Sequence, residues 1–241
     1  MKKHIPNFIT LLNLLSGVFS IYFALSGHLD WAGYAIFFAA FFDFVDGFIA
    51  RLLKVSGEIG KELDSLSDLV SFGVAPGFII FEVLLKVNAV TCLCNVPLGE
   101  LVLLFIPFLM PLFGAYRLAR FNVKQAKEKG FTGLPIPANG LFNAGVGILF
   151  LSPIGIAPFS PLVMTLLIDV NLLLFCFLMV SNVKMISLKL TSYSFSNAFF
   201  QYLLLFFSLV LSVTVGWAAI PLIIYFYIVL SIVRNLFFTK E

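Results

Sequence analysis

Four aspartates, Asp43, Asp46, Asp64 and Asp68, lie in a chain that is 61% hydrophobic and only 11% charged. An aspartate at the centre of a membrane helix costs on the order of 2.5–3.5 kcal/mol on insertion scales. Acids nearer the interface cost less, but four together also repel one another, so something must offset them. Carboxylates without histidine or cysteine select a hard cation, with Mg2+ expected and Mn2+ as its substitute. His4 and His28 fall on opposite sides of the membrane in the topology derived below, which argues against zinc. The competing structural reading, an ion-pair network, lacks enough nearby basic residues to pair four acids.

Small residues accompany the acids. At about 100° per residue, Asp43, Asp46, Gly47 and Ala50 share an arc of roughly 100° on a helix. Asp64 and Asp68 are one turn apart on a single face. The short connection from Leu52 to Glu62 holds the two helices side by side, so the four carboxylates are expected to converge on one pocket. Gly47 and Ala50 let a flat ring or a pyrophosphate approach the backbone; taken alone, helix–helix packing is the weightier explanation for them. Arg51 is placed either to bind phosphate or to snorkel to the interface.

The elements that carry these residues are membrane spans. A soluble domain is nearer 45–50% apolar and about 25% charged, whereas this chain of 241 residues has a mean hydropathy of +1.08. At about 20 apolar residues per span, we expect an all-α polytopic membrane protein of about eight transmembrane helices, near 7–26, 31–53, 66–86, 100–121, 138–154, 161–182, 197–213 and 217–237. No length remains for a soluble domain, so residues 1–241 read as one membrane-embedded domain. The N-terminal apolar run is broken by Asn7, Thr10 and Asn13 and is long enough to span, which argues against a signal peptide. Alternating loops across eight spans puts every lysine and arginine except Lys86 on one side, so both termini are expected in the cytoplasm. The 124–133 segment is the most polar stretch and reads as a cytoplasmic loop. No basic block suggests nucleic acid.

The pattern Asp43-x2-Asp46-Gly47-x2-Ala50-Arg51-x8-Gly60-x3-Asp64-x3-Asp68 resembles the signature of the CDP-alcohol phosphatidyltransferases at every fixed position. The resemblance implies that Asp43, Asp46 and Asp64 bind metal, and that Asp68 both borders the metal and acts as general base. It implies Mg2+ or Mn2+, as two ions. Gly47, Ala50, Arg51, Gly57 (with Ser56 beside it) and Gly60 would touch the donor lipid, CDP-diacylglycerol. The run Ile5-Pro6-Asn7-Phe8-Ile9-Thr10-Leu11-Leu12-Asn13 is similar to the first span of these enzymes, which adds Asn7 and Thr10 to the donor contacts.

Further segments are similar to the membrane-integral phosphatidylserine synthase branch. These are Arg117-Leu118-Ala119-Arg120-Phe121-Asn122, then Phe131-x-Gly133-Leu134-Pro135-x-Pro137-Ala138, and Met179-Val180-Ser181 through Ser187-Leu188-Lys189. Asn139 interrupts the small residues usual after Pro137-Ala138. The branch implies transfer of a phosphatidyl group from CDP-diacylglycerol to L-serine, with CMP released. It also implies a homodimer in a bacterial inner (cytoplasmic) membrane, the site facing the cytoplasm on a six-helix family core plus two. Arg117 and Arg120, three residues apart, and Asn122 are candidates for the serine contacts.

Two rivals stay open on the residues alone. Glycerol phosphate, inositol phosphate or choline could replace serine, since the aspartate pattern is shared, although a phosphorylated acceptor calls for more basic residues. A small transporter also places acids in a membrane, but these acids sit at one side with no path onward. Asp169, in the sixth span, is given only an inter-helix hydrogen bond. Cys92 and Cys94 are too close in sequence for an easy disulfide.

Overall fold

The computed structural model describes residues 4–55, 57–124, 132–151, 159–186 and 199–237. The 125–131 loop with Phe131, Ser56, and the segment Ser187-Leu188-Lys189 lie outside the described residues. Among the described residues the regular structure is helical, with one isolated β-bridge between Thr132 and Lys184.

The first helix shows how such a chain packs when its outer solvent is lipid. α1 (His4–Leu25) buries Pro6, Thr10, Asn13, Ser16, Gly17, Ser20 and Ala24. It turns Phe8, Leu11, Leu15, Val18, Phe19 and Tyr22 outward. Lipid tails solvate leucine as well as a protein core does, so small and polar residues, which allow close approach and hydrogen bonding, define the inner face. A turn with Gly27 at φ +79° leads into α2 (Leu29–Leu52). The two pack along their length, and the Ser20 hydroxyl donates to the Ala32 carbonyl at 2.8 Å.

The expected third span is one rod with a defect. α3 (Glu58–Leu69) continues through a π-helical turn, Val70–Val74, into α4 (Ala75–Val87). The Ala75 N–H reaches back five residues to the Val70 carbonyl. Pro76 has no N–H to offer the Phe72 carbonyl four residues earlier, which favours an inserted residue here. The fourth span is also interrupted. α5 (Leu98–Phe105) passes through a 3-10 turn, Ile106–Phe108, into α6 (Leu109–Lys124). Pro107 and Pro111 each remove a helical donor across that break.

α7 (Ile136–Phe150) lies against α2, the π turn and α4. α8 (Pro161–Val180) packs mainly on α6, and the hairpin of α9 (Phe199–Val215) and α10 (Ala219–Phe237) turns at Gly216, φ +62°. This turn and the helix positions follow the sequence expectation to within a few residues, except that the third rod begins at Glu58 rather than near residue 66. Among the described residues five rods are long and apolar enough to cross a membrane, and Ile136–Phe150 and Phe199–Val215 are shorter apolar helices. The protein is an all-α integral membrane protein.

Two expectations are corrected. Cys92 and Cys94 are joined to each other, with Cα atoms 5.4 Å apart. Extended backbone at Cys92 followed by a 3-10 turn over Leu93–Asn95 folds the chain back on itself. Asp169 makes no inter-helix hydrogen bond: it is 2% exposed, and neither carboxylate oxygen has a partner among the described residues.

Candidate active site

The acids come from the C-terminal half of α2 and from α3. Asp43, Asp64 and Asp68 each offer a carboxylate oxygen, and these oxygens lie within 4.8 Å of one another. Asp46 stands beside the trio, close enough for Asp64 and Asp68 to feel its charge. Its Oδ2 accepts a 2.5 Å hydrogen bond from the Thr10 hydroxyl. The expected convergence is therefore three carboxylates together and a fourth held at their edge by α1. Gathered anions of one sign repel strongly, and an oxygen-only donor set suits a hard divalent ion that would relieve that repulsion. The residues present fit such an ion.

α1 serves as a template for the acids on both neighbouring helices. Asn7 lies against α3, where a Cβ at Gly60 would come to 3.0 Å from its Oδ1. Thr10 holds Asp46 of α2. Asn13, one turn further on, donates from Nδ2 to Asp68 Oδ1 at 3.3 Å. Gly17 then touches Ser71, whose hydroxyl donates to the Asn13 carbonyl at 2.9 Å. Asn13 has no assigned role in the sequence reading. Its signal was available in the three- and four-residue spacing of Asn7, Thr10, Asn13 and Gly17, which marks one helical face.

The other candidates surround this centre unequally. Gly47 and Ala50 are half-buried, and the nearest atom to a Cβ at Gly47 is Arg51 Nη1 at 3.7 Å, so the face they share with the exposed Arg51 is open. Gly57 begins α3 with nothing within 4 Å of where a Cβ would stand. Arg117 is 8% exposed, its Nε has no partner among the described residues, and its charge reaches Asp68. Arg120 is committed elsewhere: Nη1 donates to the Val180 carbonyl at 2.6 Å and Nη2 to Asn182 Oδ1. Asn122 donates to the Ser65 hydroxyl at 2.9 Å and accepts from Lys61 Nζ at 3.4 Å through its carbonyl. Arg117 thus lies within electrostatic reach of Asp68, while Arg120 ties α6 to α8 and Asn122 ties it to α3.

The Gly133-Leu134-Pro135 segment caps this end of the bundle. The Gly133 N–H donates to the Val183 carbonyl at 2.9 Å and the Leu134 N–H to the Leu178 carbonyl at 3.0 Å. Asn139, unexpected in sequence, is fully buried and donates to Met110 Sδ at 3.4 Å and to the Phe72 carbonyl at 3.5 Å. That carbonyl is the one Pro76 leaves without its helical donor. Asn143 donates in turn to the Asn139 carbonyl at 2.8 Å.

A family model described as CDP-alcohol phosphatidyltransferase matches residues 3–225. The chain is similar to the archaetidylserine synthase of Methanothermobacter thermautotrophicus, 38% identical over 136 residues, covering 55% of this chain and 53% of that one. It is similar to the CDP-diacylglycerol–serine O-phosphatidyltransferase of Bacillus subtilis, 35% identical over 140 residues, covering 58% of this chain and 72% of that one. A yeast protein of the same name, from Saccharomyces cerevisiae, is 40% identical over 150 residues, covering 56% of this chain and 50% of that one. The chain thus spans about half the length of two of these relatives and nearly three quarters of the third.

Proposed function

The chain belongs to the CDP-alcohol phosphatidyltransferase family, and from that premise we propose that it transfers the phosphatidyl group of CDP-diacylglycerol to L-serine, giving phosphatidylserine and CMP. The observation that carries the reading is the trio of Asp43, Asp64 and Asp68, with oxygens within 4.8 Å of one another, on the signature that defines the family. Relatives named for serine transfer support the acceptor. Mg2+ or Mn2+, as two ions, would be held by Asp43, Asp46, Asp64 and Asp68. Bound there, the metal supplies charge neutralisation for the pyrophosphate and its leaving group.

The chain's own residues do the rest. The open face of Gly47 and Ala50, with Arg51 beside it, receives the CDP head while the acyl tails stay in the bilayer. The serine hydroxyl oxygen attacks the phosphorus that carries diacylglycerol, and the bond from that phosphorus to the bridging pyrophosphate oxygen breaks. CMP departs with that oxygen. Asp68 takes the hydroxyl proton, its basicity supported by the neighbouring carboxylates. Arg117, buried with a free Nε and within electrostatic reach of Asp68, receives the serine carboxylate; a guanidinium suits a carboxylate through paired hydrogen bonds. The site opens to the cytoplasmic face of a bacterial inner membrane, and the family supports a homodimer.

The test is CMP release from CDP-diacylglycerol by purified protein with Mn2+, across a panel of L-serine, glycerol phosphate, inositol phosphate and choline. Serine-dependent release with phosphatidylserine as product is expected. Release driven by another alcohol and not by serine would reject the acceptor, and no release with any alcohol would reject the chemistry.

A further inference from the structure

We propose that Asn13, locked by Ser71 and Gly17, is the positioning residue that orients Asp68 for proton abstraction. This rests on the reading of Asp68 as the base in phosphatidyl transfer. Asn13 is fully buried and is used twice. Its side-chain Nδ2 donates to Asp68 Oδ1 at 3.3 Å, and its main-chain carbonyl accepts from the Ser71 hydroxyl at 2.9 Å. Asp68 and Ser71 are three residues apart on one continuous rod, so both groups reach the same residue of α1 from adjacent positions of one face. One bond fixes where Asn13 stands against the rod, and the other fixes the carboxylate from that standpoint.

Gly17 makes the first of these possible. A Cβ there would lie 2.5 Å from the Ser71 hydroxyl oxygen and 2.8 Å from Ser71 Cα. A backbone atom cannot rotate away, so only glycine lets α1 approach closely enough. Ser71 also sits within the π turn, Val70–Val74. The inserted residue there changes the angular relation between Asp68 and everything beyond the turn. The Ser71 hydroxyl holds the backbone that carries this amide, and the amide donates to one oxygen of Asp68, leaving the other oxygen without that bond. Thr10 does the same for Asp46 one turn earlier, but Asp46 stands at the edge of the trio, whereas Asn13 acts on the acid that takes the proton.

The experiment compares Asn13→Leu, which keeps the volume and removes the donor, with Ser71→Ala, which removes only the hydroxyl that locks Asn13. Both are measured for kcat, for KM of donor and acceptor, for melting temperature in detergent, and for the rise in melting temperature on adding Mn2+. Asn13→Leu is expected to lower kcat at least tenfold, with both KM values within about threefold of the parent and the Mn2+-induced rise retained. Ser71→Ala is expected to lower kcat severalfold with the same pattern. Unchanged kcat in either variant overturns the proposal, and so does a loss that appears only in KM or only as a lower melting temperature. If Asn13→Leu does not fold, the Ser71→Ala result decides. A parent protein that moves phosphatidyl groups to an alcohol other than serine still tests Asn13 with that alcohol. A parent that releases no CMP removes the reading on which this one stands.

Discussion

Buried and half-buried acids and amides share the interior of this bundle, and their partners separate their roles. Asp43, Asp64 and Asp68 face one another, whereas Asp169 is 2% exposed and partnerless among the described residues. Asp43→Asn is therefore expected to lower Mn2+-dependent turnover by more than about a hundredfold, beyond the 10–100-fold typical of groups that only support a ligand, with the fold kept. Asp169→Leu is expected to leave turnover within about twofold and to raise stability by about 1–3 kcal/mol, the usual cost of an unsatisfied buried polar group. Thermal melting in detergent beside the CMP assay checks both. The acids were legible in sequence because their spacing is fixed and charge is rare in this chain. The spacing of Asn13 from Asn7, Thr10 and Gly17 showed its face but not its role, because an amide in an apolar run looks the same whether it packs, caps or supports a base, and only the 3.3 Å bond to Asp68 distinguishes these.

At the scale of elements, glycines mark where helices must touch, and they do so for two different reasons. Gly140 of α7 meets the π turn: a Cβ there would lie 2.8 Å from Phe72 Cδ1 and 3.0 Å from Phe72 Cα. Gly140→Ala is expected to cost about 1–3 kcal/mol through overpacking, seen as a lower melting temperature together with a lower kcat, because that turn carries Ser71. Gly47 faces open space, its nearest neighbour to a Cβ being Arg51 Nη1 at 3.7 Å. Gly47→Ala is expected to leave the melting temperature unchanged and to raise the KM for CDP-diacylglycerol severalfold. Equal behaviour of the two variants would contradict this division. Sequence offered both packing and ligand approach for a small residue at position 47, with packing the weightier of the two. The choice needed to know whether another helix stands opposite.

For the whole molecule, the proposed topology puts the two ends of the bundle on opposite sides of the membrane. The acids lie at the end of the bundle reached by α2's C-terminus and α3's start, and the Cys92–Cys94 loop follows α4 at the far end. After reduction, a membrane-impermeant maleimide applied to intact cells is expected to label Cys92 and Cys94 but not a Lys54→Cys substitution in a Cys92→Ser, Cys94→Ser background, which should react only once the membrane is opened; the reverse pattern would invert the topology. The sequence by itself determined the membrane class, the places of the helices and the acid set, because hydropathy and fixed spacing are local properties of the chain. It did not determine that the third and fourth rods break, that Arg120 and Asn122 are bound to neighbouring helices while Arg117 Nε has no partner among the described residues, or that α1 hands a hydrogen bond to an acid on each neighbour. Those depend on which faces meet, and helix contacts made between residues dozens of positions apart are set by the packing of the whole bundle.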